Sequence, residues 1–201
     1  KIDLTDGLKG FGCYEKRDSA VKRAVPEFDP AVDKMKIVLP QNLLGEATLN
    51  VFSVVVIKPD GTEIKKRLNP RDYLEIVAAS NMKQRARMSM LYYEAEARNY
   101  CVVGTANRNE HGLGFFVKYG DGGVDLQPIA HLYKTQVYEI AKYVGVPDAI
   151  IQRPPTTDTY SAEQSPEEFF YRLPFEVLDA IWDASERGGM PEQIAESMNL
   201  T

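Results

Sequence analysis

Cysteine and histidine are scarce in this chain: Cys13, Cys101, His111 and His131 are all that its 201 residues contain. Two cysteines cannot build a disulfide framework, and the two histidines add no zinc-ligand spacing to them. Long apolar runs are missing as well. The longest, VFSVVVI at 51–57, is strand-sized and far short of a membrane span. The sequence shows no signal-peptide pattern. It also has no excess of basic charge: a net charge of −5 and a pI near 5.2 argue against nucleic-acid or membrane-surface binding. Neither a serine nor a cysteine nucleophile motif accompanies the histidines, and no Walker A motif is present. The expectation is a reduced, cytoplasmic protein that touches neither nucleic acid nor membrane, with Cys101 buried in its apolar run YCVV.

What is present reads as one α/β domain. The 44% hydrophobic and 26% charged fractions are those of a globular chain, and the length allows one sizeable core. Residues 5–25 are helical in composition, interrupted by Gly10 and Gly12, and PEFDPAVD follows as a loop. Residues 49–68 carry two β-rich runs around Lys58-Pro59-Asp60-Gly61, with proline and glycine where a type I turn wants them. The first run is apolar on both faces and should be covered on both, while the charged second run suits an edge. A helix is expected over 71–97, with Met88, Leu91, Tyr92 and Ala95 as its core stripe, then a short buried strand at YCVVGT. A further helix over 132–144 carries Val137, Ile140, Ala141 and Val144 on one face and stops at Gly145. Helix, strand, long loop and helix make half of a doubly wound parallel sheet, whose ligands bind at the carboxyl ends of the strands.

The loop from Gly104 to His131 leaves such an end, so its residues are the functional candidates. Gly104 admits a ligand closely, and the Thr105 hydroxyl can bond it. Glu110 can hold a hard cation through oxygen, although it also suits a helix cap. Lys118, Asp121 and Asp125 ride on the glycine-rich VKYGDGGVD, which lacks the alternating carboxylates of an EF-hand. Lys134 opens the next helix, where a lysine is electrostatically misplaced unless an anion lies between it and the positive helix end. RPPTTDTYS adds hydroxyls, Thr156 among them, behind two stiff prolines. Together these residues suit a polyphosphate with its magnesium ion; taken singly, surface lysines and helix caps explain most of them.

The stretches QRARM, VVGTANRNE, GFFVKYGDGGVDLQPIAHLYKTQVYEIAKYVGVP and RPPTTDTYS resemble the ammonia-dependent NAD synthetase family, ATP-pyrophosphatases of the adenine-nucleotide alpha-hydrolase type. The resemblance runs from about Asn81 to about Tyr160, and the run from Phe116 to Asp125 with the following L-x-K is its most specific part. It implies ATP and Mg2+ as co-reactants, deamido-NAD and ammonia as small-molecule substrates, and a homodimer. Residue by residue it implies that Arg85, Lys118 and Asp125 contact deamido-NAD. Thr105, Lys134 and Thr156 would contact ATP, and Glu110 the magnesium. Lys134 and Asp125 are the residues expected to carry catalysis. The implied reaction adenylates the nicotinate carboxylate and then displaces AMP with ammonia.

Three departures accompany the resemblance. The family's Ser-Gly-Gly-x-Asp-Ser pyrophosphate loop is nowhere in these residues. It is expected upstream of Lys1, in a stretch on the order of 60 to 80 residues, so that this chain alone would be inactive. The 49–68 hairpin reads as an insertion into the single domain spanning 1–201, as in a subgroup of synthetase-like proteins, and would serve dimer contacts. After Tyr160 the His-Lys pair of small synthetases has no counterpart, which leaves open an ATP-pyrophosphatase acting on another carboxylate. The missing pyrophosphate loop leaves open a second alternative, a non-catalytic dimerising or nucleotide-sensing homologue. The tail itself, SPEEFF and PFEVLDAIWDASERGG, reads as helices, with Trp182 as a core or interface anchor.

Overall fold

A computed structural model describes residues 1–39, 51–156, 159–166 and 170–199. Leu49 and Asn50 of the hairpin run, Thr157 and Asp158 of the threonine loop, and residues 167–169 of SPEEFF lie outside them.

The first helical stretch is split as its glycines suggest. α1 spans Thr5–Gly10 and α2 spans Cys13–Ala24, with Gly12 between them at φ +68°, a left-handed conformation that glycine adopts without steric cost. The sheet has three strands in the order β1 (Lys34–Val38), β2 (Ser53–Ile57), β3 (Glu63–Arg67), all antiparallel. β2 and β3 are joined through a turn in which the Gly61 N–H donates to Lys58 O at 2.9 Å. β2 is central and almost wholly buried; β3 is the exposed edge. This differs from a doubly wound parallel sheet. Among the described residues outside the named strands, parallel pairing is confined to the single bridge between Val103 and Leu126.

Strand alternation puts Met35, Ile37, Val54 and Val56 on one face, and all four are fully buried. They pack against Ala20, Val21 and Val25 of α2 and Ile76 of α3 (Pro70–Glu96). Each of the valine, isoleucine and methionine side chains among them contributes roughly 1.5–3 kcal/mol on removal from water. α3 begins where its chemistry dictates: Asn69 accepts from the Asp72 N–H at 2.9 Å, and Pro70 fills the first turn, where no N–H is needed. The buried Asp72 also accepts from Arg23 Nε at 2.6 Å, tying α2 to α3.

At 27 residues, α3 is ~40 Å long and outreaches the sheet. Its first half closes the core, and its second half carries the loop that follows. The expected core stripe is realised only in part: Ala95 is buried, Met88 and Tyr92 are half-buried, and Leu91 is exposed.

Beyond α3 the chain forms α4 (Arg108–Leu113), α5 (Lys134–Tyr143), α6 (Asp148–Ile151), α7 (Phe175–Glu186) and α8 (Pro191–Ser197). α5 packs on α6 and α7 and contains no buried residue. The expected strand at YCVVGT is reduced to the one bridge. With so little flanking structure among the described residues, Cys101 is exposed, against expectation, and so is Val103; Cys13 is the buried cysteine.

Candidate active site

The glycine-rich loop is built outward from the Val103–Leu126 bridge. Gly104 donates to Leu126 O at 2.7 Å, and a β-carbon there would meet the Val124 side chain at 2.7 Å, so any larger residue before Thr105 would push Val124 aside. Thr105 is exposed at the mouth of this junction. Asp125 staples the junction from below. One carboxylate oxygen accepts from the Val102 N–H at 2.8 Å and the other from the Tyr92 hydroxyl at 2.9 Å. These bonds, the backbone one first, hold the Asp125 carboxyl below the usual carboxylate range. Asp125 thus has a structural duty that its sequence context did not announce, and only its spare lone pairs remain for a ligand.

Tyr119 stands at φ +59° in the turn, a left-handed residue that is not glycine. The Lys118 ammonium lies 5.1 Å from the Tyr119 ring centroid, exposed. Arg85 on α3 donates from Nε to Lys118 O at 3.1 Å. Arg85, Lys118 and Asp125 therefore form one group, gathered along the far half of α3.

Glu110 and Lys134 form a second group. Glu110 closes a reciprocal cap at the start of α4: Asn107 Oδ1 accepts from the Glu110 N–H at 3.1 Å, and Glu110 Oε2 accepts from the Asn107 N–H at 3.0 Å. Both readings of Glu110 are compatible, because one oxygen caps and Oε1 accepts no described bond. The neighbouring Asn109, fully buried, accepts from the Lys134 N–H at 2.9 Å and so joins the α4 start to the α5 start. The Lys134 ammonium has no carboxylate partner among the described residues; it lies 5.8 Å from the ring centroids of both Tyr138 and Phe175.

Several contributors lay outside the sequence reading. Asp179 of α7, buried, accepts from Asn109 Nδ2, from the Thr135 N–H at 3.0 Å and from the Thr135 hydroxyl at 2.8 Å. Tyr171 is buried, and its hydroxyl has no hydrogen-bond partner among the described residues. Burial first, then the charges of Glu110 and Asp179, push its phenol well above the ordinary value. Arg108 is held over the rings of Tyr133 (4.7 Å) and Trp182 (5.6 Å) and pairs with Glu186. No sequence signal marks Asp179, because its burial depends on Asn109 and Thr135, 70 and 44 residues away.

Thr156 stands apart from both groups. It is exposed and lines a cavity of about 370 Å³ with Arg153, Tyr160, Ser161 and Glu163. No described bond links that cavity to Glu110 or Lys134. Among the described residues no three His, Cys, Asp or Glu side chains cluster as an all-protein metal cage, and no helix is long and apolar enough to cross a membrane.

A family model described as NAD synthase matches residues 41–201. This is well beyond the 81–160 stretch in which the resemblance was first legible, and it includes α7 and α8. An NH(3)-dependent NAD(+) synthetase of Rhizobium meliloti (strain 1021) is 45% identical over 98% of this chain and 59% of its own length. One from Thermotoga maritima is 38% identical over 73% of this chain and 51% of its own. The solved structure of an NMN synthetase from Francisella tularensis superposes with a TM-score of 0.51 at 32% identity, covering 62% of this chain and 52% of that one. The chain spans about 59% of the first curated relative's length. The glycine-rich loop, the Glu110 cap and the Lys134 helix all fall within the matched residues, and this chain belongs to the NAD synthase family.

Proposed function

We propose that the whole protein carrying this chain is an ammonia-dependent ligase that uses ATP to adenylate the carboxylate of deamido-NAD and then converts it to the amide. The observation that supports this most is the Asn109 bridge, which sets the Lys134 ammonium and the α5 N-terminus beside the helix of Glu110. A positive helix end with an uncompensated ammonium favours a polyphosphate. Magnesium fits the free oxygen of Glu110, since it takes few protein carboxylates and completes its shell with phosphate and water. Bound there, it would offset the repulsion between two anionic substrates. Lys134 then stabilises charge on the departing pyrophosphate, with Thr105 and Thr156 as further ATP contacts. Arg85 and Lys118 hold the dinucleotide along α3, and Asp125 keeps the loop in register while offering a lone pair.

The parallel Val103–Leu126 bridge is read as one rung of the doubly wound sheet of the whole protein. The exposed Val103, Leu126 and Ile140 would mark the faces its other elements cover. The 49–68 hairpin is read as an insertion, the assembly as a homodimer, and the setting as cytoplasmic.

A second acceptor is favoured by the name of the similar solved structure: nicotinate mononucleotide, whose amide is NMN. The test offers Mg-ATP and ammonium with either acceptor to the whole gene product and follows AMP and amide together. Equal amounts of AMP and NAD support the first reading; preference for the mononucleotide supports the second. Lys134→Ala should abolish turnover without unfolding the protein, and full retention of activity there would sink the assignment.

A further inference from the structure

α7 carries a stripe that its amphipathic pattern hides. Phe175, Asp179, Trp182 and Glu186 recur at spacings of 4, 3 and 4, so they share one face of the helix. Every one of them meets the α4–α5 junction. Phe175 lies 5.8 Å from the Lys134 ammonium. Trp182 packs so closely on Gly112 of α4 that a β-carbon there would run into its ring. Glu186 pairs with Arg108 and accepts from Trp182 Nε1 at 3.0 Å and from the Tyr133 hydroxyl at 3.2 Å.

Asp179 sits at the centre of this face. Its two oxygens take bonds from Asn109 and Thr135, and Asn109 in turn accepts from the Lys134 N–H. The local sequence caps only the Tyr133 N–H, which donates to Gln136 Oε1 at 2.9 Å. The next two N–H groups of α5 are taken up from elsewhere in the chain: Lys134 donates to Asn109 at 2.9 Å, and Thr135 to Asp179, 44 positions later, at 3.0 Å.

We infer that Asp179 is a positioning residue: through Asn109 and Thr135 it fixes the α5 N-terminus, and with it the Lys134 ammonium, against Glu110. The inference rests on the reading of Lys134 as a phosphate contact. Asp179 touches no substrate. Its carboxylate also places a fixed negative charge against the positive end of α5, which lowers the cost of holding the Lys134 ammonium there.

Asp179→Asn in the whole gene product tests this, because Asn has one acceptor oxygen where two are in use. Turnover per folded molecule is expected to fall about 10- to 100-fold, as for other groups that orient a reacting residue. The KM for the nicotinate acceptor should stay within about twofold, since Arg85 and Lys118 are untouched. The reciprocal pair Asn109→Asp with Asp179→Asn restores every bond. The carboxylate introduced on α4 accepts from the Lys134 N–H and from the new amide on α7, whose oxygen accepts from Thr135. The pair should recover most of the lost turnover. A folded Asp179→Asn protein that keeps its kcat overturns the inference, as does a reciprocal pair that folds and stays as slow as the single variant. Should Asp179→Asn fail to fold, Thr135→Ala removes only the 2.8 Å hydroxyl bond, and an unchanged kcat there is equally fatal. Failure of the underlying reading looks different: Lys134→Ala itself would remain active.

Discussion

Around the three-stranded sheet, Met35, Ile37, Val54, Val56 and Ile76 are all fully buried, whereas α5 and α6, which frame the site, contain no buried residue. Tyr143 and Val144 at the end of α5 are 91% and 64% exposed. The sheet region is held by apolar contact, which is non-directional and tolerates small shifts. The site region is held by directed polar bonds and by rings stacked on a guanidinium: Asp125 with Tyr92 and Val102, Asp179 with Asn109 and Thr135, Arg108 with Tyr133 and Trp182. Directed bonds fix atoms to a few tenths of an ångström, as a reacting constellation requires. The difference teaches that this fold separates stability from precision and joins the two through one long helix, α3.

The contrast can be broken most forcefully in the sheet. Ile76→Ala should cost about 2–5 kcal/mol, whereas Tyr143→Ala at the end of α5 should change stability by about 0.5 kcal/mol or less. Urea denaturation of both variants checks this, and equal losses would erase the distinction. An intermediate effect is expected where the two kinds of bonding meet. Gly112→Ala pushes a methyl group against the Trp182 ring and should cost about 1–3 kcal/mol, seen as a lower Tm together with weakened near-ultraviolet dichroism from the one tryptophan.

The smallest effect is a dependence on acidity. The Asp125 carboxyl is held below its ordinary value, so its stabilising contribution is fully present above the unfolded value of about 3.9 and fades as pH falls through the lower folded value. Asp125→Asn should therefore melt below wild type at neutral pH, with the gap narrowing under strongly acidic conditions. A gap of constant size down to the acid limit would show that charge has no part in the staple.

Local signals are legible where local chemistry decides. Pro70 and Asn69 start α3 within a residue of the expected helix, Gly145 at φ +77° follows α5, and Gly61 at φ +86° closes the turn between β2 and β3. Glu110 is legible as a helix cap, which it is, and Lys134 stands out because a lysine is electrostatically misplaced at a helix start. What stays hidden depends on distant partners. KMKIV reads as a mixed run, and it becomes β1 only because Val54 and Val56 lie beside it. Cys101 looks buried because YCVV is apolar, but burial needs a neighbour on both sides. Asp125 looks like a ligand because nothing in its loop reveals Tyr92, 33 residues earlier. Asp179 passes as part of an ordinary amphipathic helix for the same reason.

The outer edge of β1 is closed by residues from the chain's last quarter. Met35 donates to the Ser161 hydroxyl at 2.9 Å and accepts from the Ala162 N–H at 3.1 Å, and Ile37 O accepts from Gln164 Nε2 at 2.8 Å. The first and last of these pairs are 126 and 127 residues apart. On a ribosome adding about 5–20 residues per second, that edge waits on the order of 10 s for its cover. During that interval β1 presents a row of open amide and carbonyl groups to any neighbouring nascent chain. The segment 161–164 acts as the seal that ends this vulnerable period. Truncations that stop short of it should be recovered in inclusion bodies, even though they retain every strand of the sheet.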